Sequence, residues 1–135
     1  MRIAVVSAPA AKMPPPDYVQ ALAKGMSSMG HHVDILDAWT EDGFKLPAYG
    51  YIAIAAEPNS LFSGKIPTVI TKLLAAGSSL SGKKSAAFIR KKGLFSGRAM
   101  ANLMKAMEKE GMVVNWSDLL LNSPHAEAMG KQIGA

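Results

Sequence analysis

Two stretches of this 135-residue chain place glycine, serine and phenylalanine within a few positions of one another: Glu57–Pro67 (EPNSLFSGKIP) and Lys91–Arg98 (KKGLFSGR). Gly64, Gly93 and Gly97 allow a backbone to approach a ligand closely. Phe62 and Phe95 are large apolar groups in segments that should face solvent, where an aromatic ring can stack on a planar molecule. Pro58, the amide of Asn59 and the hydroxyl of Ser60 complete the first stretch. Two such loops side by side would make two walls of a planar slot. For Phe95, folding back onto the core is an equal alternative. A third stretch, Ser7–Asp17 (SAPAAKMPPPD), offers one hydroxyl, Ser7, one cation, Lys12, and backbone amides. Its four prolines donate no hydrogen bond. Phosphate cradles ordinarily rely on glycine and successive amides, although Lys12 could meet a phosphate as a point charge.

Other chemistry is missing. The chain contains no cysteine, which excludes disulfides, thiolate metal sites and cysteine nucleophiles. The glycine fingerprints of dinucleotide and P-loop sites are absent. His31 and His32 open a strand and point to opposite faces, a poor geometry for sharing a metal. His125 falls in the first turn of a helix, where a capping role or none is expected. Glu57 stands at a strand end, where receiver domains keep a phospho-accepting carboxylate, but Ser7-Ala8-Pro9 supplies no acids to accompany it. No nucleophile–base pair is visible, so any reaction would be carried by a bound cofactor.

The charge is segregated. Fifteen Lys and Arg against ten Asp and Glu give +5 overall, yet residues 65–109 contain ten basic side chains and one acid, Glu108. A solvated basic face is the plain reading for most of these lysines. Arg90, Lys91, Lys92 and Arg98 bracket the KKGLFSGR loop and suit a local anion site, whereas Lys83 and Lys84 enter the same strand from its other end. Nucleic-acid binding is disfavoured, because aromatics are few in the basic block and no recognition motif is present.

The elements that must position these loops alternate. Apolar runs at Ile3–Ser7, Val33–Leu36, Tyr51–Ala56, Ser85–Arg90 and Met112–Trp116 read as strands, several of them continuously apolar as in a parallel sheet covered on both faces. Helical faces fall between them. The first carries Tyr18, Leu22, Met26 and Met29, with Asp17 as cap, Gln20 as its reciprocal partner and Gly30 as stop. The second starts near Pro67, presents Val69, Ile70, Leu73 and Leu74, and ends at Gly77. The third carries Met100, Leu103, Met104 and Met107 and ends at Gly111. The fourth has Ser123 as cap, Pro124 in its first position, then Met129 and Ile133. The methionine stripe reads as a core face rather than a partner groove. The Asp37–Gly50 connection has room for a helical turn at most. This order predicts one α/β three-layer domain over residues 1–135 with right-handed crossovers, its ligand crevice beyond the carboxyl ends of the strands. No apolar run approaches the ~20 residues of a membrane span. Met1–Ala11 imitates a short signal peptide, but a buried first strand explains it more simply, and we expect a cytoplasmic protein.

Residues Tyr49–Leu74 and Leu80–Val114 together resemble the flavodoxin-like family of FMN-binding electron-transfer proteins. The first stretch resembles its third strand, Pro-containing flavin loop and Pro-started helix. The second resembles its G-K-K entry into strand four, second flavin loop and the helix ending in G-M. The resemblance implies a five-stranded parallel sheet of order 2-1-3-4-5. It implies FMN held at Ser7, Ala10, Ala11 and Lys12 by its phosphate, and at Pro58, Asn59, Ser60, Phe62, Lys92, Gly93, Leu94, Phe95 and Gly97 by its ring. The activity would be that of an electron carrier or a small FMN-dependent reductase, with an acidic redox partner and no membrane. A dimer is compatible with it. The family's phosphate loop is usually rich in Ser, Thr, Gly and Asn, and only Ser7 matches here. The same residues therefore also support a domain of this fold that has lost its cofactor and serves as an interaction module.

Overall fold

In the computed structural model, which describes residues 1–77 and 79–133, five parallel strands alternate with helices: β1 (Arg2–Ala8), α1 (Asp17–Ser28), β2 (His32–Asp37), β3 (Tyr51–Ala56), α2 (Thr68–Ala76), β4 (Lys84–Arg90), α3 (Ser96–Lys109), β5 (Val113–Leu120) and α4 (Ser123–Gln132). Residues 78, 134 and 135, which the single-domain reading includes, lie outside the described residues. The strands hydrogen-bond in the order β2-β1-β3-β4-β5, all parallel, as expected from the sequence. A single 3₁₀ turn, Leu46–Ala48, fills the β2–β3 connection.

The pleat divides the apolar residues between two cores. Ala4, Val6, Ile52, Ile54, Ala87 and Ile89 face α2 and α3, where Ile70, Leu74, Leu103 and Met107 cover them. Ile3, Val5, Tyr51, Ala53, Ala86 and Phe88 face α1 and α4, meeting Val19, Leu22, Met26 and Ala126. Two buried faces explain why β1, β3 and β4 read as unbroken apolar runs. On the second face, α1 and α4 pack backbone to backbone. A Cβ on Gly25 would collide with the Glu127 carbonyl, and one on Gly130 with the Leu22 carbonyl.

Three local expectations are corrected. Pro16, not Asp17, holds the N-cap position of α1, and no side chain caps it. Asp17 lies in the first helical turn, where a carboxylate suits the dipole, and Gln20 Nε2 instead donates to the Pro15 carbonyl at 2.9 Å. Asn122, not Ser123, caps α4: its Oδ1 accepts from His125 N at 2.8 Å, and His125 Nδ1 accepts from Leu121 N at 3.2 Å. β5 runs on to Leu120, beyond the apolar stretch that marked it, because an edge strand tolerates the polar Asn115, Ser117 and Asp118. Asn115 is the bulged residue, since Ser85 pairs with Val114 and Ala86 with Trp116. The Tyr51 hydroxyl donates to Asn115 Oδ1 at 2.6 Å.

Candidate functional site at the carboxyl edge of the sheet

Strand order reverses between β1 and β3, so the crevice of an open parallel sheet should lie beyond their carboxyl ends. All three sequence-marked loops gather at that edge. The first follows β1. Its Ala10 amide donates to Glu57 Oε1 at 2.9 Å, and its Pro9 carbonyl accepts from Trp39 Nε1 at 3.0 Å. The loop is thus held from two sides by residues that follow β3 and β2. Ala11 and Lys12 stand exposed beside it.

The second and third loops are joined. Leu94 N donates to the Leu61 carbonyl at 3.2 Å. Gly93 has φ +72, and a Cβ there would collide with that same carbonyl. Asn102 Nδ2 of α3 donates to the Gly64 carbonyl at 2.7 Å. Arg98 crosses Gly64, whose Cβ would strike the arginine stem, and its guanidinium lies 5.6 Å from the centre of the Phe95 ring. Phe95 is therefore half-buried under Arg98, while Phe62 is 79% exposed. Within each loop, hydroxyls are turned inward. Ser60 Oγ accepts from Phe62 N at 3.4 Å and Ser63 Oγ from Lys65 N at 3.0 Å. The buried Ser96 Oγ accepts from Lys92 N at 2.9 Å and donates to the Lys92 carbonyl at 3.1 Å. Pro58 is buried and Asn59 exposed, with Asn59 N donating to the Lys65 carbonyl at 2.9 Å. Gly97 lies in the first turn of α3, where an added Cβ would meet open space.

Behind the first loop, four polar residues that the sequence reading did not connect share the α1/α4 side of the sheet. Ser7 and Arg90 follow Val5 and Phe88 by two positions, and Glu57 follows Ala55 likewise, so the alternation turns all three the same way. Tyr18 enters from α1. Its hydroxyl and that of Ser7 are buried without a hydrogen-bond partner among the described residues. Burial holds the Tyr18 phenol well above its ordinary range; the Glu57 carboxylate reinforces this and the Arg90 guanidinium opposes it. Arg90 Nη1 donates to the Lys91 and Leu120 carbonyls at 3.0 and 3.2 Å. The signal for Glu57 in the sequence was its place at the strand end; its contact with Ala10 spans 47 residues.

The remaining candidates lie apart. Lys84 begins β4 at the opposite edge, and Lys83 Nζ donates to the Pro47 carbonyl at 3.1 Å. His32 is exposed, 3.6 Å from Asp34 Oδ1, whereas both ring nitrogens of His31 are buried without partners among the described residues, a departure from the solvated pair expected. Among the described residues no cluster of three His, Asp or Glu could hold a metal ion, and no helix is long and apolar enough to cross a membrane.

The amide of Ala10, which the resemblance assigns to a phosphate, is engaged within the chain. The Ala10 amide already serves a carboxylate, and that carboxylate would repel a second anion placed on the same amide.

No family model matches the chain, and no curated protein matches it. Solved structures do. The two-electron reduced flavodoxin of Megasphaera elsdenii aligns with TM-score 0.73 at 16% identity over 96% of each chain. Oxidised flavodoxin 1 of Bacillus cereus aligns with TM-score 0.69 at 17% identity over 99% of this chain and 95% of that one. The flavodiiron protein of Giardia intestinalis gives 0.74 at 18% identity, covering 98% of this chain and 35% of that one. At such identities the likeness concerns backbone architecture, and with the strand order it establishes that this chain has the flavodoxin-like α/β fold.

Proposed function

We propose that this chain is a flavodoxin-like domain that works as a protein-interaction module and does not hold FMN phosphate at its first loop. The observation that carries this reading is the 2.9 Å hydrogen bond from Ala10 N to Glu57 Oε1. A side-chain carboxylate occupies the donor that the resemblance assigns to the cofactor's phosphate. The joined second and third loops support it, because the Leu61 carbonyl closes on Gly93 where two walls of a ring slot were expected. Titration of the purified chain with FMN tests it. Flavin fluorescence and the visible absorption band should stay those of free FMN up to about 100 μM, on the order of one hundred thousand times the nanomolar Kd of a tight site. Stoichiometric quenching would overturn the reading.

Phe62 favours a second reading, an FMN-dependent electron carrier or small reductase. It is 79% exposed on a loop that carries the glycine, serine and lysine of a ring-binding segment. In that case Phe62 would stack on the ring, the bound flavin would supply the electron chemistry, and Lys12 would meet the phosphate. Glu57 would first have to leave Ala10 N. The same titration distinguishes the two readings.

A further inference from the structure

We infer that the joined second and third loops form a docking surface for an acidic protein, one that lays an apolar side chain on their shared tip and sets carboxylates around it. The inference rests on the interaction-module reading and adds the chemistry of the partner. Leu61, Phe62 and Leu94 are 49%, 79% and 79% exposed. They are contiguous, because Leu94 N is bonded to the Leu61 carbonyl at 3.2 Å. An aromatic and two leucines grouped at one loop tip make a contiguous exposed apolar patch, and such a patch rimmed by polar residues marks an interaction site. The tip is also held in shape before any partner arrives. Gly93 packs on Leu61, Asn102 holds Gly64, Ser96 closes the Lys92 turn, and Arg98 lies over Phe95. Binding would therefore cost little loop ordering.

Charge selects the partner. Lys65, Lys91 and Lys92 stand on the same two loops, Lys65 and Lys91 exposed and Lys92 half-buried, and none is in an ion pair among the described residues. From residue 58 to residue 107 the chain contains no acid at all. The carboxylate that precedes this stretch in the sequence, Glu57, is engaged by Ala10 N. A polynucleotide would satisfy the lysines but not two exposed leucines. An acidic protein surface with a central apolar residue satisfies both.

The test is a titration of the ¹⁵N-labelled chain with a synthetic peptide holding Trp-Leu between runs of Glu and Asp. The expected result is saturable shift changes at the amides of Leu61, Phe62, Gly93 and Leu94. Affinity should fall by about tenfold as salt rises from about 20 to about 200 mM, since the screening length shortens over that range. The double variant Phe62→Ser/Leu94→Ser should bind at least about fivefold more weakly. Lys91→Glu/Lys92→Glu should abolish the response while keeping a dispersed spectrum. Shifts on another face, no shifts, an equal response to a charge-reversed peptide, or tighter binding of an oligouridine would each overturn the inference. FMN titration of the same sample separates the two failures: saturation by FMN defeats the interaction-module reading, whereas peptide failure without FMN binding defeats this inference alone.

Discussion

The carboxylate of Glu57, one residue past β3, accepts a hydrogen bond from the backbone amide of Ala10 at 2.9 Å and so ties the loop after β1 to the neighbouring strand. A hydrogen bond to a charged group contributes about 1.5–3 kcal/mol when buried and less where solvent reaches it. Glu57 is half-buried. We expect Glu57→Ala to cost about 1–2 kcal/mol and to lower the melting temperature by roughly 4–8 °C. Glu57→Gln, which keeps an acceptor oxygen, should cost less than half of that. Hydrogen exchange at the Ala10 amide gives a direct readout: it should accelerate in Glu57→Ala and stay slow in Glu57→Gln. Unchanged exchange in both variants would show that the amide is protected by something else.

The architecture was legible in the sequence because the core strands satisfy several constraints at once. β1, β3 and β4 are apolar on both faces, and the glycines after α1 and α3, Gly30 and Gly111, carry the positive φ that stops a helix. The apolar run that marks edge strand β5 stops at Trp116, since the strand pairs on one side only and its exposed Ser117 and half-buried Asp118 break the pattern. The caps slipped by one residue at Asp17 and Ser123, where two capping residues or a proline stood adjacent. The site was less legible for a different reason. Loop positions could be read from glycine and serine, but Glu57 with Ala10, Trp39 with Pro9 and Gly93 with Leu61 are contacts between distant segments. No local pattern encodes which loop amide a strand-end carboxylate will reach.

Two glycines four residues apart should respond in opposite directions to the same change. Gly93 has a positive φ and its Cβ would meet the Leu61 carbonyl, so Gly93→Ala should cost about 1–3 kcal/mol and separate the second and third loops. Gly97 lies in α3 with open space around it, so Gly97→Ala should stabilise by about 0.5–1 kcal/mol. Urea denaturation of the two variants measures both signs. A neutral Gly93→Ala would mean that the loop contact does not hold in solution.

The α1–α4 contact depends on the close backbone approach at Gly25 and Gly130. Gly130→Ala would push a methyl against the Leu22 carbonyl, and relief requires the helices to separate. Overpacking of this kind costs about 1–3 kcal/mol. We expect that loss in urea denaturation, with faster exchange of α4 amides than of α3 amides as its local signature.

Alkaline pH should destabilise the fold through its buried phenols. Burial raises the Tyr51 hydroxyl from its ordinary 10.0 to about 12, and burial raises Tyr18 further. A folded state that holds a proton more tightly than the unfolded chain is favoured while that proton is present. The contribution is therefore complete below pH 10 and is lost as pH rises from 10 through about 12. Urea midpoints should be flat from about pH 8 to 9.5 and fall steeply beyond. Absorbance at about 295 nm should show the Tyr18 phenolate appearing only with unfolding. Because the Tyr18 hydroxyl has no hydrogen-bond partner among the described residues, Tyr18→Phe should leave neutral-pH stability within about 0.5 kcal/mol or raise it, and flatten the alkaline loss. Tyr51→Phe differs, since it removes the hydrogen bond that Asn115 Oδ1 accepts at 2.6 Å, and it should cost about 1 kcal/mol at neutral pH as well. Equal alkaline slopes in the parent chain and in both variants would place the titration elsewhere.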